Sequence, residues 1–248
     1  MRMSWTAACA VLGLLGAAHA AAASSFTVNP TQIFLAPKTT SALLTLRNES
    51  DETLRFQLTV FKWDQTPQGE MKLEPTQDIV FFPALLSLAP KEERKVRVGA
   101  TTTFAASEKT YRIFVEELPS PGGTNAPTAV KVLTKMGVPI FMQPARIQAQ
   151  GSITDLAVKN GAFSFAVRNP GNVHFIPQAV KVQAFNAAGQ PVLAKEMEGW
   201  YVLAGGTRVY ELKLPSPDCR SIASMAVEVL IGTTTLKERL ETPAACSP

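Results

Sequence analysis

Histidines, paired carboxylates and thiols carry most enzyme chemistry, and this 248-residue chain is sparing with all three. Its histidines are His19 and His174. A nucleophilic hydrolase needs a histidine to take the proton from its serine. His174 is the one candidate outside the N-terminal segment, beside Asn172 and Val173 in a turn-like stretch. That context suits an exposed or half-buried loop histidine better than a proton relay. Glu116 and Glu117 are adjacent carboxylates in a strand-like run. Neighbours on a strand point to opposite faces, so these two cannot work as a dyad. The G-x-S-x-G elbow, the H-E-x-x-H pair and the phosphate-binding G-x-x-x-x-G-K-[ST] loop are missing from the sequence. Neither a metal nor a cofactor is expected, and the chain reads as a non-enzyme.

The cysteines point to an exported protein. Arg2, an apolar run from Trp5 to Ala18 and the A-x-A site Ala18-His19-Ala20 read as a secretory signal over residues 1–20. Cleavage after Ala20, or a few residues later in Ala21-Ala22-Ala23, is the expectation; an uncleaved N-terminal anchor is the alternative. No later segment is long enough to span a membrane, so no span is expected after cleavage. Cleavage leaves Cys219 and Cys246, an even count that suggests one disulfide, with two free thiols as the alternative. The net charge of +4 favours solubility and steers acidic partners. Lys and Arg form no basic run interleaved with aromatics, so no nucleic acid is expected. Asn48-Glu49-Ser50 matches a glycosylation sequon, a pattern that also arises by chance.

The elements that must position any site are strands. Phe26-Thr27-Val28, Ser41 to Asn48, Leu54 to Trp63, Ile79 to Phe82, Arg94 to Gly99, Tyr111 to Leu118 and Ala129 to Met142 alternate apolar and polar residues. In the third run Leu54, Phe56, Leu58 and Val60 share one face. After Gln143-Pro144-Ala145 the pattern restarts with Ala162 to Asn169, Ala179 to Asn186, Glu198 to Leu203, Thr207 to Leu214 and Ser224 to Ile231. Strands about 10 to 15 residues apart, with Gly and Pro at the turns, suit antiparallel sandwiches. The expected fold is all-β: two immunoglobulin-like β-sandwich domains, 24–143 and 148–246, joined by a Pro-containing hinge. Leu44-Thr45-Leu46-Arg47-Asn48 is echoed by Ser164-Phe165-Ala166-Val167-Arg168-Asn169-Pro170, which hints at one plan used twice.

Ala129 to Met142 is unusually long for a strand, about 45 Å at ~3.3 Å per residue. Val130, Val132, Thr134, Met136, Val138, Ile140 and Met142 fall on one face, with Lys131 and Lys135 on the other. Such a strand is either core or a sheet edge offered to another protein. Long apolar edges are normally avoided because they invite pairing, so one that exists has a use.

Several runs resemble the PapD-like periplasmic pilus chaperones. They are Ile79-Val80-Phe81-Phe82-Pro83 through Leu88-Ala89-Pro90 with Arg94 to Val98, then Tyr111-Arg112 through Glu117-Leu118-Pro119, and Val138-Pro139-Ile140-Phe141-Met142-Gln143-Pro144. The resemblance covers the chain after the signal in order and is strongest from Ile79 to Pro144. It implies a periplasmic protein that binds pilus subunits by donor-strand complementation and delivers them to an outer-membrane usher. The lent strand would contribute Val130, Val132, Thr134 and Met136. The best-known members hold the subunit's C-terminal carboxylate with an Arg and a Lys, where this chain has Gln32 and Pro139. A hinge arginine is likewise replaced by Gln143. The Val138-Pro139-Ile140-Phe141 ending and the Tyr111 to Pro119 run resemble the divergent, archaic branch. Arg112, expected beside Pro139 across a hairpin, is the candidate replacement anchor, with Arg146 second; a surface arginine in a weak ion pair is the alternative. A secreted two-domain adhesin or a pilus structural subunit is the alternative function.

Overall fold

The computed structural model describes residues 25–119, 132–215 and 221–241. The signal expected over residues 1–20, Val130, Cys219 and Cys246 lie outside them. Among the described residues all regular structure is β. The first half holds β1 (Phe26–Asn29), β2 (Ile33–Leu35), β3 (Ser41–Asn48), β4 (Leu54–Gln65), β5 (Met71–Pro75), β6 (Ile79–Phe82), β7 (Leu85–Leu88), β8 (Glu93–Ala100), β9 (Lys109–Leu118) and β10 (Lys135–Met142). The second holds β11 (Ser152–Lys159), β12 (Ala162–Arg168), β13 (Ala179–Phe185), β14 (Pro191–Met197), β15 (Thr207–Lys213), β16 (Ser224–Ile231) and β17 (Thr234–Glu241).

Each half is a two-sheet sandwich. In the first, the sheet β1-β3-β8-β6 faces the sheet β2-β10-β9-β4-β5, with β7 also paired to β4. Alternation supplies both inner faces. Leu44, Leu46, Val96 and Val98 come from one sheet, and Phe56, Leu58, Ile113, Val115 and Ile140 from the other. In the second half β11-β12-β15 faces β14-β13-β16-β17, with Phe163, Phe165 and Tyr210 meeting Val180, Val182, Val227 and Val229. Burying one such side chain stabilises the fold by roughly 1.5–3 kcal/mol.

Two expectations are corrected. The strand expected over Glu198 to Leu203 is not there; the pairing strand is β14, which ends at Met197. Tyr201, Val202 and Leu203 are buried side by side instead of alternating, and only Val202 makes a bridge, to Phe175. Tyr201 and Leu203 serve a contact between the halves, while Val202 packs in the second core. Of the long strand expected from Ala129 to Met142, the described part is assigned as strand from Lys135, opposite Glu116, and residues 129–131 lie outside the described residues.

The echoed asparagines play matching parts. Asn48 ends β3 fully buried and donates to the carbonyls of Leu88, Ala89 and Glu52, while accepting from Ser50. Buried in this way, it is no surface acceptor for a sugar. Asn169 follows β12, donates to the carbonyls of Val173 and Val202 and accepts from the Gly171 amide. Each side chain ties the end of a strand to loops that would otherwise leave buried carbonyls unpaired. Asn169→Ala is expected to cost about 2–3 kcal/mol, since it removes several hydrogen bonds and strands buried acceptors. Urea unfolding of the full chain measures this, and a loss below half a kcal/mol would rule out the role.

Candidate functional site

β10 is the element to which the site is attached. β9 pairs with it along its whole length, from Lys135↔Glu116 to Met142↔Lys109. On its other side β2 pairs in parallel, but only at Ile140, Phe141 and Met142. The edge from Lys135 to Pro139 therefore has no strand partner among the described residues. The phase of the hydrogen bonds is set at both ends. Thr134 accepts from the Glu117 amide on the β9 side, and Gln143 donates to the Leu35 carbonyl on the β2 side. Alternate residues point their amides and carbonyls the same way. Lys135, Gly137 and Pro139 consequently turn theirs toward the open edge. This is why a proline is tolerated within a strand: its missing N–H removes nothing from the β9 ladder.

The side chains of β10 divide in the same rhythm. Val138, Ile140 and Met142 are buried in the first core, and Met136 packs half-buried against it. Thr134 is half-buried, and Val132 is 59% exposed beside Leu133, which is also exposed. Of the expected lent residues, Val132 is thus free of the chain's own core, and Met136 is partly engaged by it.

Arg112 lies on β9 directly opposite Pro139. The cross-strand row continues to Phe61 on β4 and Pro75 on β5. Arg112 is only 8% exposed. Its guanidinium lies 4.2 Å from the centre of the Trp63 ring, and Nη1 donates to the Met71 sulfur at 3.0 Å. Nε is buried without a hydrogen-bond partner. Arg112 makes no ion pair among the described residues. Burial lowers its pKa from the ordinary value and the neighbouring Tyr201 opposes the drop; arginine starts so far above neutrality that the charge remains. Gly137 makes room for this arrangement. A Cβ there would stand 3.0 Å from the Phe114 ring and 3.1 Å from Arg112 Cδ. Lys135 continues the face, paired with Glu116 at 2.8 Å.

The other expected site residues lie apart from this row. Gln32 donates to the Tyr201 hydroxyl at 2.6 Å. Arg146 is exposed beyond the end of β10, and its backbone carbonyl accepts from Asn172.

A joint between the halves closes the floor of the cleft. Trp63, Phe141, Tyr201 and Leu203 form a separate buried cluster. The His174 ring stacks on Phe141 with centroids 3.6 Å apart, and its Nδ1 lies 2.7 Å from Glu108 Oε1. Glu108 also accepts from the His174 amide, and Asn172 bonds Ala106, Arg146 and Gln148. His174 is a half-buried loop residue, as its context suggested, although the sequence offered no sign of Glu108 as its partner. Across the cleft the Val209 amide donates to the Pro67 carbonyl at 2.7 Å, and Arg208 bonds the carbonyl of Gln68. Gly69 has φ +85°, and the Arg208 guanidinium fills the space a Cβ would need, so only glycine suits this turn.

Comparison with known proteins bears on what such a joint and edge belong to. The chain resembles a chain of the CsuC–CsuE chaperone–tip adhesion subunit pre-assembly complex, from archaic chaperone-usher Csu pili of Acinetobacter baumannii. The two align with TM-score 0.62 and 14% identity over 87% of this chain and 98% of that one. The E. coli chaperone DraB aligns with TM-score 0.57 and 17% identity, over 90% and 97%. The class 5 fimbriae chaperone CfaA gives 0.58 and 14%, over 88% and 100%. At these identities the matches speak for the fold, a two-domain β-sandwich. No curated protein sequence matches the chain. The family model for the PapD N-terminal domain of pili and flagellar-assembly chaperones matches residues 25–148, half of the sequence and all of the strands around Arg112 and β10, and the chain therefore belongs to the PapD-like pilus-assembly chaperones.

Proposed function

We propose that the protein is a periplasmic chaperone that captures pilus subunits by lending them the strand that begins before β10, and passes them to an outer-membrane usher. The observation that carries this reading is the open edge of β10. From Lys135 to Pro139 the strand offers backbone groups that no described strand takes up. Just ahead of it Val132 is exposed rather than packed in the chain's own core. Strand addition uses those two features together: main-chain bonds give affinity, and alternate side chains fill pockets in the partner. Val130, Val132, Thr134 and Met136 are the residues lent, with Met136 shared between the chaperone's core and the subunit. Cys219 and Cys246 form the disulfide of the second domain. Co-purification of a β-rich subunit from the periplasm tests the reading directly; a chain that is always recovered alone would sink it.

Val132→Asp is expected to abolish subunit capture while thermal unfolding stays within about a degree of wild type, since a surface change costs under about 0.5 kcal/mol. A collapse of the thermal transition would place Val132 in the chaperone's own core.

Arg112 holds the subunit's C-terminal carboxylate in place of the missing cations at Gln32 and Pro139. Its charge has no carboxylate partner among the described residues, and a guanidinium grips a carboxylate with paired N–H groups. Arg112→Ala is expected to weaken capture by about 1.5–3 kcal/mol, the scale of a hydrogen bond to a charged group. Amidating the C-terminus of a subunit peptide should cost the wild type a similar amount and the mutant almost nothing in a binding titration. Equal losses in both would transfer the anchor to Arg146 or elsewhere.

A further inference from the structure

Met71 opens β5, the edge strand of the cleft sheet, and its thioether touches the cation assigned above to the subunit carboxylate. The residue is 46% exposed. Other described methionines are better protected: Met142 and Met225 are buried, and Met136 and Met197 are half-buried. A solvent-accessible thioether is the form of methionine most readily oxidised. What sets Met71 apart is its contact. Its sulfur accepts an N–H from Arg112 at 3.0 Å, and thioether sulfur is a weak acceptor. Among the described residues Arg112 has, beyond that bond, the Trp63 face, the nearby Tyr201 and a buried Nε without a hydrogen-bond partner. A better acceptor than the thioether at the same place would hold the guanidinium more strongly.

We propose that Met71 is a redox-sensitive gate on this anchor: its oxidation by a peroxide sets a sulfoxide oxygen against Arg112 and weakens capture of a subunit's C-terminal carboxylate. The inference rests on the carboxylate-anchor reading of Arg112. In the reaction hydrogen peroxide transfers one oxygen atom to sulfur. An S–O bond forms and the O–O bond breaks. Sulfur loses two electrons and the peroxide leaves as water, so protons balance without a further co-reactant. The sulfoxide is polar and accepts strongly, so it competes with a carboxylate for the same N–H groups. Methionine sulfoxide reductase reverses the change. Trp63, the other oxidisable group in contact with Arg112, is buried and shielded from the reagent.

The test treats the full chain with dilute hydrogen peroxide and maps oxygen addition by peptide mass spectrometry. Binding is then titrated with the C-terminal peptide of the co-purified subunit, as free acid and as amide. Met71 is expected to gain oxygen before Met136 and Met197. The preference for acid over amide should fall roughly ten-fold in the oxidised wild type, the scale of losing a charge-assisted hydrogen bond. It should return on treatment with the reductase. Met71→Leu should keep its preference through the same peroxide exposure. An unchanged preference after full oxidation of Met71 overturns the gate, and earlier oxidation of Met136 or Met197 overturns the site. If the untreated protein prefers neither peptide, the anchor reading itself falls, and with it the gate. In that case the peptide map, and the shift of the Arg112 side-chain N–H resonance on oxidation, still decide whether a sulfoxide at Met71 takes hold of Arg112.

Discussion

Phe141 ties one sandwich to the other, and it can do so only because β10 alternates. Its neighbours Ile140 and Met142 point into the first core, so Phe141 must point out of it. There it meets Trp63, Tyr201 and the stacked ring of His174. Aromatic pairs of this kind add roughly 0.5–1.5 kcal/mol each beyond their buried area. The His174–Glu108 contact fixes the ring that completes the stack. The same cluster holds Tyr201 against Trp63, while Arg208 and Val209 tie the β4–β5 turn to the second half by separate contacts.

Arg112 shows what the joint makes possible. A buried cation without a carboxylate is costly. Here the cost is offset by the face of Trp63, which the joint itself holds in place. The same packing leaves the guanidinium with donors to spare. Gly137 completes the arrangement by omitting a Cβ that would crowd the Arg112 and Phe114 side chains.

Much of this was legible in the sequence because it follows from alternation. Leu54, Phe56, Leu58 and Val60 announce the inner face of β4, and Val138, Ile140 and Met142 that of β10. The pairing of Arg112 with Pro139 follows from counting along a hairpin. What could not be read were contacts between segments far apart. Glu108 finds His174, and Gln32 finds Tyr201, only after two sandwiches have docked. The strands missed, such as β5, β14 and β17, have largely exposed side chains, so their pairing leaves no apolar period to detect. Tyr201 to Leu203 misled for the opposite reason: consecutive apolar residues serve a joint as readily as a strand.

Pro139 has a consequence for length. An unprotected apolar edge is a template on which chains can stack without limit. This edge is bounded. At one end the proline offers no N–H, and immediately beyond it β2 occupies the ladder at Ile140. A segment laid alongside can register only up to that point, so the edge works as a ruler with a fixed stop. A partner segment laid there would end short of Ile140, where β2 already lies in the ladder.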